Sequence, residues 1–253
     1  MSSEIVLDAL HERRERVFLI LAGFFLCAMT LLNVIGLTRF VQLGPLAVAV
    51  GVLPYPITFL CTDLISELYG KRRANFLVTV GLILNAFILL VMWVGQALPA
   101  TDPAAPWQVL ELAESVFLPN GEQKQGSVEL FSLMYACTSG AVVASMIAYV
   151  AAQYCDVHLF HFWKKLTKGK HLWLRNNFST LVSQAVDSFI VISVTFGAAF
   201  MRGEQTLIVL LGLMWYNYAF KMLSAMADTL PLYFLVGKLR RYLEIPETIP
   251  ENS

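Results

Sequence analysis

Leu53-Pro54-Tyr55-Pro56-Ile57-Thr58-Phe59-Leu60-Cys61-Thr62-Asp63-Leu64-Ile65-Ser66-Glu67-Leu68-Tyr69-Gly70-Lys71-Arg72-Arg73 begins inside an apolar run, carries two carboxylates near its end and stops on a glycine followed by three cations. Asp63 and Glu67 lie four residues apart, so on a helix they share a face. Proline lacks a backbone donor and crowds the preceding turn, so Pro54 and Pro56 predict a kinked or broken helix. In lipid such a break is buried in protein or lines a cavity; the plainer alternative is a packing kink. An apolar segment ending in two acids on one face is more than anchoring requires.

The composition around this stretch decides the class. Of 253 residues, 57% are apolar and 14% charged, against roughly 25% charged in soluble domains, and the mean hydropathy is +0.64. That leaves too little polar surface for a soluble domain, and the apolar residues fall in runs of membrane length. The expected fold is an all-α integral membrane protein with six transmembrane helices. The spans are residues 17–37, 40–60 (kinked), 75–98, 128–152, 178–201 and 206–236. The first is too long for a signal peptide and no clear small-residue cleavage site follows it; Thr30 and Asn33 interrupt its far end. A cytoplasmic segment 1–16 precedes the six-helix transmembrane domain 17–239, and a cytoplasmic tail 240–253 follows it. The connection 99–127 is polar and proline-rich, with a short surface helix expected over 107–116. In the fourth span, Ser139, Gly140, Ala141, Ala144 and Ser145 allow close helix packing.

Lysine and arginine orient the spans. One side holds Arg13, Arg14 and Arg16, then Lys71, Arg72 and Arg73, then Lys164, Lys165, Lys168, Lys170 and Arg175, then Lys238, Arg240 and Arg241. The other side has Arg39, Lys124 and Arg202. This asymmetry predicts that both termini are cytoplasmic. Net charge is zero, which gives no sign of a nucleic-acid partner. The four cysteines have no C-x-x-C spacing and read as apolar packing residues.

An ionisable group inside a span costs on the order of 3 kcal/mol by insertion scales, so it marks function or a paired interior. Three clusters qualify. Thr62, Asp63, Ser66 and Glu67 form the first, where Glu67 alternatively caps a helix end near Lys71, Arg72 and Arg73. Asn177, Thr180, Ser183, Gln184, Asp187 and Ser188 form the second. Asp187 lies roughly 15 Å of helix into its span, near the midplane, and a structural hydrogen-bond network is the bland alternative. Asn217, Lys221, Ser224 and Asp228 form the third, a continuous stripe at steps of four, three and four. Lys221 is expected to pair with Asp187 or Asp228, either as a plain tie between helices or inside a polar ligand cavity, with Pro231 kinking the helix beyond. Asp156, His158 and His161 have spacing compatible with a metal, yet no further protein ligand stands beside them, and a loop or capping role is the better reading. Phe160, Phe162, Trp163 and Trp173 among lysines fit an interfacial belt. HExxH, GxSxG and P-loop patterns are absent, and no metal or cofactor is expected.

Four motifs occur in order: Thr62-Asp63-x-x-Ser66-Glu67-x-Tyr69-Gly70, Gln153-x-x-Asp156-Val157-His158-x-Phe160, Ser183-Gln184-x-x-Asp187-Ser188, and Phe220-Lys221 with Pro231 downstream. Together they resemble the queuosine precursor transporter family, also called the VUT family, over nearly the whole chain. Ser188 stands where that family usually has threonine, and some of its members lack an acid at the position of Glu67. The resemblance implies import across the bacterial inner membrane of 7-deazaguanine bases (7-cyano-7-deazaguanine, 7-aminomethyl-7-deazaguanine or queuine) for tRNA modification.

The residue chemistry suits that ligand. A guanine-like base presents an N–H and an NH₂ side by side to one carboxylate, and its carbonyl needs a donor. The expected substrate-binding set is Asp63, Glu67, Asn177, Gln184, Asp187, Asn217, Lys221 and Asp228, with Asp187 on the base edge and Lys221 on its carbonyl. Phe189, Trp215, Tyr216 and Phe220 are candidates to stack on its face, and an aminomethyl cation would favour Asp63 or Asp228. The partners expected are the nucleobase and the bilayer, with a homodimer compatible. Two alternatives stand beside this reading: the substrate-binding subunit of a multi-component vitamin-type importer, and an intramembrane enzyme.

Overall fold

The computed structural model describes residues 2–100, 105–118, 121–166 and 172–245. Six α-helices run in chain order: α1 (Ser2–Val34), α2 (Tyr55–Tyr69), α3 (Lys71–Ala97), α4 (Leu130–Leu166), α5 (Leu172–Met201) and α6 (Leu207–Leu243). Two antiparallel hairpins interrupt them, β1 (Phe40–Leu43) with β2 (Leu46–Ala49), and β3 (Val109–Phe117) with β4 (Gln123–Glu129). Five helices, all except α2, are long and apolar enough to cross a membrane.

The second span departs from expectation. Residues 40–60 are not one kinked helix but the β1–β2 hairpin, a short 3₁₀ turn over Val50–Val52 and the start of α2. Leu43 pairs with Leu46 across Gly44 and Pro45, and Gly44 sits at φ +58°, which glycine adopts without strain. Pro54 is the N-cap of α2 and Pro56 lies in its first turn, where the missing N–H would have had no partner. The prolines therefore start a helix. With 15 residues, α2 extends only about 22 Å, short of the roughly 30 Å hydrocarbon core.

Residues 107–116 are likewise not a helix: after a 3₁₀ turn (Pro106–Gln108) the chain enters β3, which pairs with β4 through a register shift between Leu112 and Val116. Gly121, at φ +89° where the hairpin returns, again needs glycine. α6 continues through Pro231 without interruption.

The chain forms two compact units. The first comprises α1 up to Leu32, Leu53–Leu84 and α6 from Leu223; the second comprises Asn33–Val52 and Asn85–Met222. In the first, the buried face of α2 (Cys61, Ile65) packs with Ala22 and Phe25 of α1 and with Ala74 and Leu77 of α3. Gly81 lets Met29 approach so closely that a Cβ there would lie 2.5 Å from its sulfur. In the second unit, Ala141, Val142, Ala144 and Ala148 of α4 are buried, so of the small residues expected to pack Ala141 and Ala144 do so, while a Cβ at Gly140 would meet nothing within 4 Å.

The charged groups of the first unit gather at one end. Arg14 donates through Nε and Nη2 to the carbonyls of Leu243 (3.1 Å) and Glu244 (3.0 Å), where a helix C-terminus leaves acceptors unsatisfied. The Tyr69 hydroxyl donates to the Arg14 carbonyl at 2.7 Å, Arg73 pairs with Glu15 at 3.0 Å, and Arg73 lies over the rings of Phe18 and Tyr69. Three of the four basic clusters used for orientation thus sit on one side of this unit. In the second unit, Arg202 after α5 binds Glu204 at 2.5 and 3.1 Å and lies over the ring of Phe117 in β3.

Candidate functional site

The most buried charged side chain among the described residues, Lys221, is in the second unit. Asp187 on α5 and Lys221 on α6 form a direct ion pair, with side chains 14% and 1% exposed. Each sits on a polar seam at helical spacing. Ser183 lies one turn before Asp187 and is buried, as is Asn217 one turn before Lys221. The stripe read on α6 is real in full: Asn217, Lys221, Ser224 and Asp228 are all buried. Lys221, expected beside Asp187 or Asp228, pairs with Asp187. Gln184 is half-buried. The side chain of Asn177 lies outside the described residues, as do those of Asp156 and His161; no cluster of metal-ligating residues is found among the described ones.

The acids of the first unit behave differently. Asp63 and Glu67 do share one face of α2, but that face is exposed, opposite the buried Cys61, Leu64, Ile65 and Leu68. Glu67 pairs with Arg240 of α6 at 3.0 Å, so it is a tie to α6 rather than a cap of its own helix. Among the described residues, the charged groups that act on Asp63 are the acids Asp228 and Glu67. Asp228 is buried, and its Oδ2 has no hydrogen-bond partner among the described residues.

Of the aromatic candidates, Phe189 and Trp215 are well exposed and line an apolar groove of about 750 Å³ between α5 and α6. Tyr216 and Phe220 are half-buried.

One buried polar network escaped the sequence reading. Asn33 donates to Asn85 Oδ1 at 3.1 Å and accepts from the Ser145 hydroxyl at 3.0 Å, while Thr138 donates to the Val34 carbonyl at 3.2 Å. Asn33, Asn85 and Thr138 are all buried. An asparagine inside each of two apolar runs, Asn33 near the end of one and Asn85 in the middle of the other, was the signal available. Ser145 serves this network rather than merely leaving room for a neighbour.

Residues 49–236 match the family described as "Putative vitamin uptake transporter". The chain belongs to this family. It is therefore a multi-pass membrane protein of a transporter family. Among relatives, it is 27% identical over 159 residues to the "Probable queuosine precursor transporter" of Bacillus subtilis (strain 168), covering 62% of this chain and 59% of that protein. It is 26% identical over 189 residues to the "Queuosine precursor transporter" of Escherichia coli (strain K12), covering 72% of this chain and 70% of that protein. No solved structure matches it.

Proposed function

We propose that this member of the uptake family imports queuosine precursors, 7-deazaguanine bases, across the bacterial inner membrane, with six membrane segments and both termini cytoplasmic. The observation that carries this reading is the buried Asp187–Lys221 pair: a carboxylate and an ammonium side by side, at a depth where each alone is costly. Such a pair offers one acceptor group for the N–H and NH₂ edge of the base and one cation for its carbonyl. The names of the two relatives supply the substrate class. The half-buried Tyr216 and Phe220, on the same helix as Asn217 and Lys221, are the aromatic candidates to cover the ring face.

Asp63 and Asp228 form a second acidic element within the first unit. Two like charges near one another favour holding a proton or an ammonium group, which suits the aminomethyl base or proton-coupled uptake. Glu67, exposed and already paired, is the least critical acid of the set. The one-sided gathering of basic clusters in the first unit supports the cytoplasmic placement of both ends.

The test is uptake of labelled 7-cyano- and 7-aminomethyl-7-deazaguanine by cells unable to make either, comparing wild type with Asp187→Asn and Lys221→Met. Loss of uptake in variants that still reach the membrane is expected; near-normal uptake would refute the assignment. Uptake by liposomes holding only this protein separates a self-sufficient transporter from a subunit that needs an energising partner.

A further inference from the structure

At the C-terminal end of α3, where it meets the start of α4 and the base of the β3–β4 hairpin, lies a recess of about 510 Å³. This is within the roughly 300–1,000 Å³ typical of small-molecule sites. All of it belongs to the second unit. Its aromatic lining comes from Trp107 and Phe131, and its polar lining from Glu129, Gln96 and Gln108.

The polar groups are not equivalent. Gln96 is committed to Ser132, donating to its hydroxyl at 3.1 Å and accepting from it at 3.2 Å, which fixes the end of α3 to the start of α4. Gln108 accepts the Ala105 N–H through Oε1 at 2.9 Å, leaving its NH₂ as an available donor. Glu129 is half-buried, and among the described residues its carboxylate has neither an ion-pair nor a hydrogen-bond partner. The wall is tight where Phe131 meets α3: a Cβ at Gly95 would lie 2.8 Å from the ring. Trp107 is 78% exposed.

A half-buried carboxylate, an amide donor and two aromatic side chains around one recess are the parts that recognise a flat nitrogen heterocycle. The carboxylate accepts from adjacent N–H groups, the amide donates to a ring acceptor or carbonyl, and the indole stacks on the ring face. We propose that this recess is a second binding site for a planar nitrogen heterocycle, held by Glu129, Gln108 and Trp107. It rests on the transport reading above, in that the heterocycle is taken to be the transported base, captured here separately from Asp187 and Lys221. The competing account is that Trp107 is only an interfacial anchor, which would leave ligand binding untouched.

The test is calorimetric titration of purified full-length protein in nanodiscs with 7-aminomethyl-7-deazaguanine. Wild type is compared with the Trp107→Ala/Glu129→Gln and Asp187→Asn/Lys221→Met double variants. Trp107 is exposed and Glu129 has no partner among the described residues, so their replacement leaves the core intact. Two equivalents are expected in wild type and one in each double variant, with Trp107→Ala alone weakening the second class on the order of tenfold. Binding unchanged by Trp107→Ala/Glu129→Gln overturns the second site and leaves the transport reading standing. One equivalent that Trp107→Ala/Glu129→Gln abolishes and Asp187→Asn/Lys221→Met spares upholds this site and refutes the central one. No binding to wild type overturns both.

Discussion

Two ion pairs join α6 to another helix, and they differ in almost every physical respect. Asp187–Lys221 is buried, with the ammonium 1% exposed, whereas Glu67–Arg240 has side chains 55% and 23% exposed at 3.0 Å. In the buried pair, desolvation opposes Coulombic attraction, so the pair adds little net stability, yet losing one member strands a charge. Water has already screened the exposed pair, and losing it changes little. The lesson is that an acid's prominence in the sequence says less about its role than the medium around it. Asp63 and Glu67 stand out in a conspicuous motif, but they lie on an exposed face, while Asp187 and Lys221 are the pair removed from water.

The largest expected effect tests that contrast directly. Asp187→Asn or Lys221→Met alone should lower stability by about 3–5 kcal/mol, read as a fall in unfolding temperature in detergent, and should abolish uptake. Combining Asp187→Leu with Lys221→Met should restore most of the stability while uptake stays absent, because an apolar pair removes both desolvation costs. Uptake that returns with stability would make the pair a structural tie only.

Next in size is the asparagine network. Asn85→Leu removes the acceptor for Asn33 and should cost about 1–3 kcal/mol, measured the same way, with substrate binding retained. A loss of binding there would move the functional centre away from α5 and α6.

Glu67→Gln should cost about 0.2–1 kcal/mol, a difference that shrinks further in high salt, and should leave most uptake in place. If it eliminates transport in folded protein, the ranking of the two pairs is reversed.

The smallest effect belongs to the loop between α5 and α6. The hydrogen bond from Arg202 holds the Glu204 carboxyl below its ordinary value of 4.5. A depressed carboxylate contributes stability above that ordinary value and loses it as pH falls through the lower folded value. Amide exchange of residues 202–206 should therefore stay constant from neutral pH to about pH 5, after correction for the intrinsic rate, and rise below 4.5. Glu204→Gln should remove the step.

How legible was this in the sequence? The apolar runs gave five helices because membrane-length hydrophobicity leaves the backbone few other solutions. The buried face of α6 was legible too, because Asn217, Lys221, Ser224 and Asp228 recur at helical steps in an apolar segment. Residues 40–49 were misread because a short apolar run has no period that separates buried helix from strand; Gly44-Pro45 was the turn signal that should have decided it. Residues 107–116 were read as helix although Asn120-Gly121 follows them, a pair typical of hairpins.

By itself, then, the sequence determined the five long apolar helices, and which faces of α5 and α6 carry polar groups. Only the tertiary structure decided that Lys221 takes Asp187, that Glu67 is held by Arg240, and that Asn33 meets Asn85 and Ser145. The physical reason is that helical spacing fixes a residue's angle about its own axis and nothing more. The partner depends on the rotation and offset of the neighbouring helix, which are set by packing of many small contacts that no single motif records.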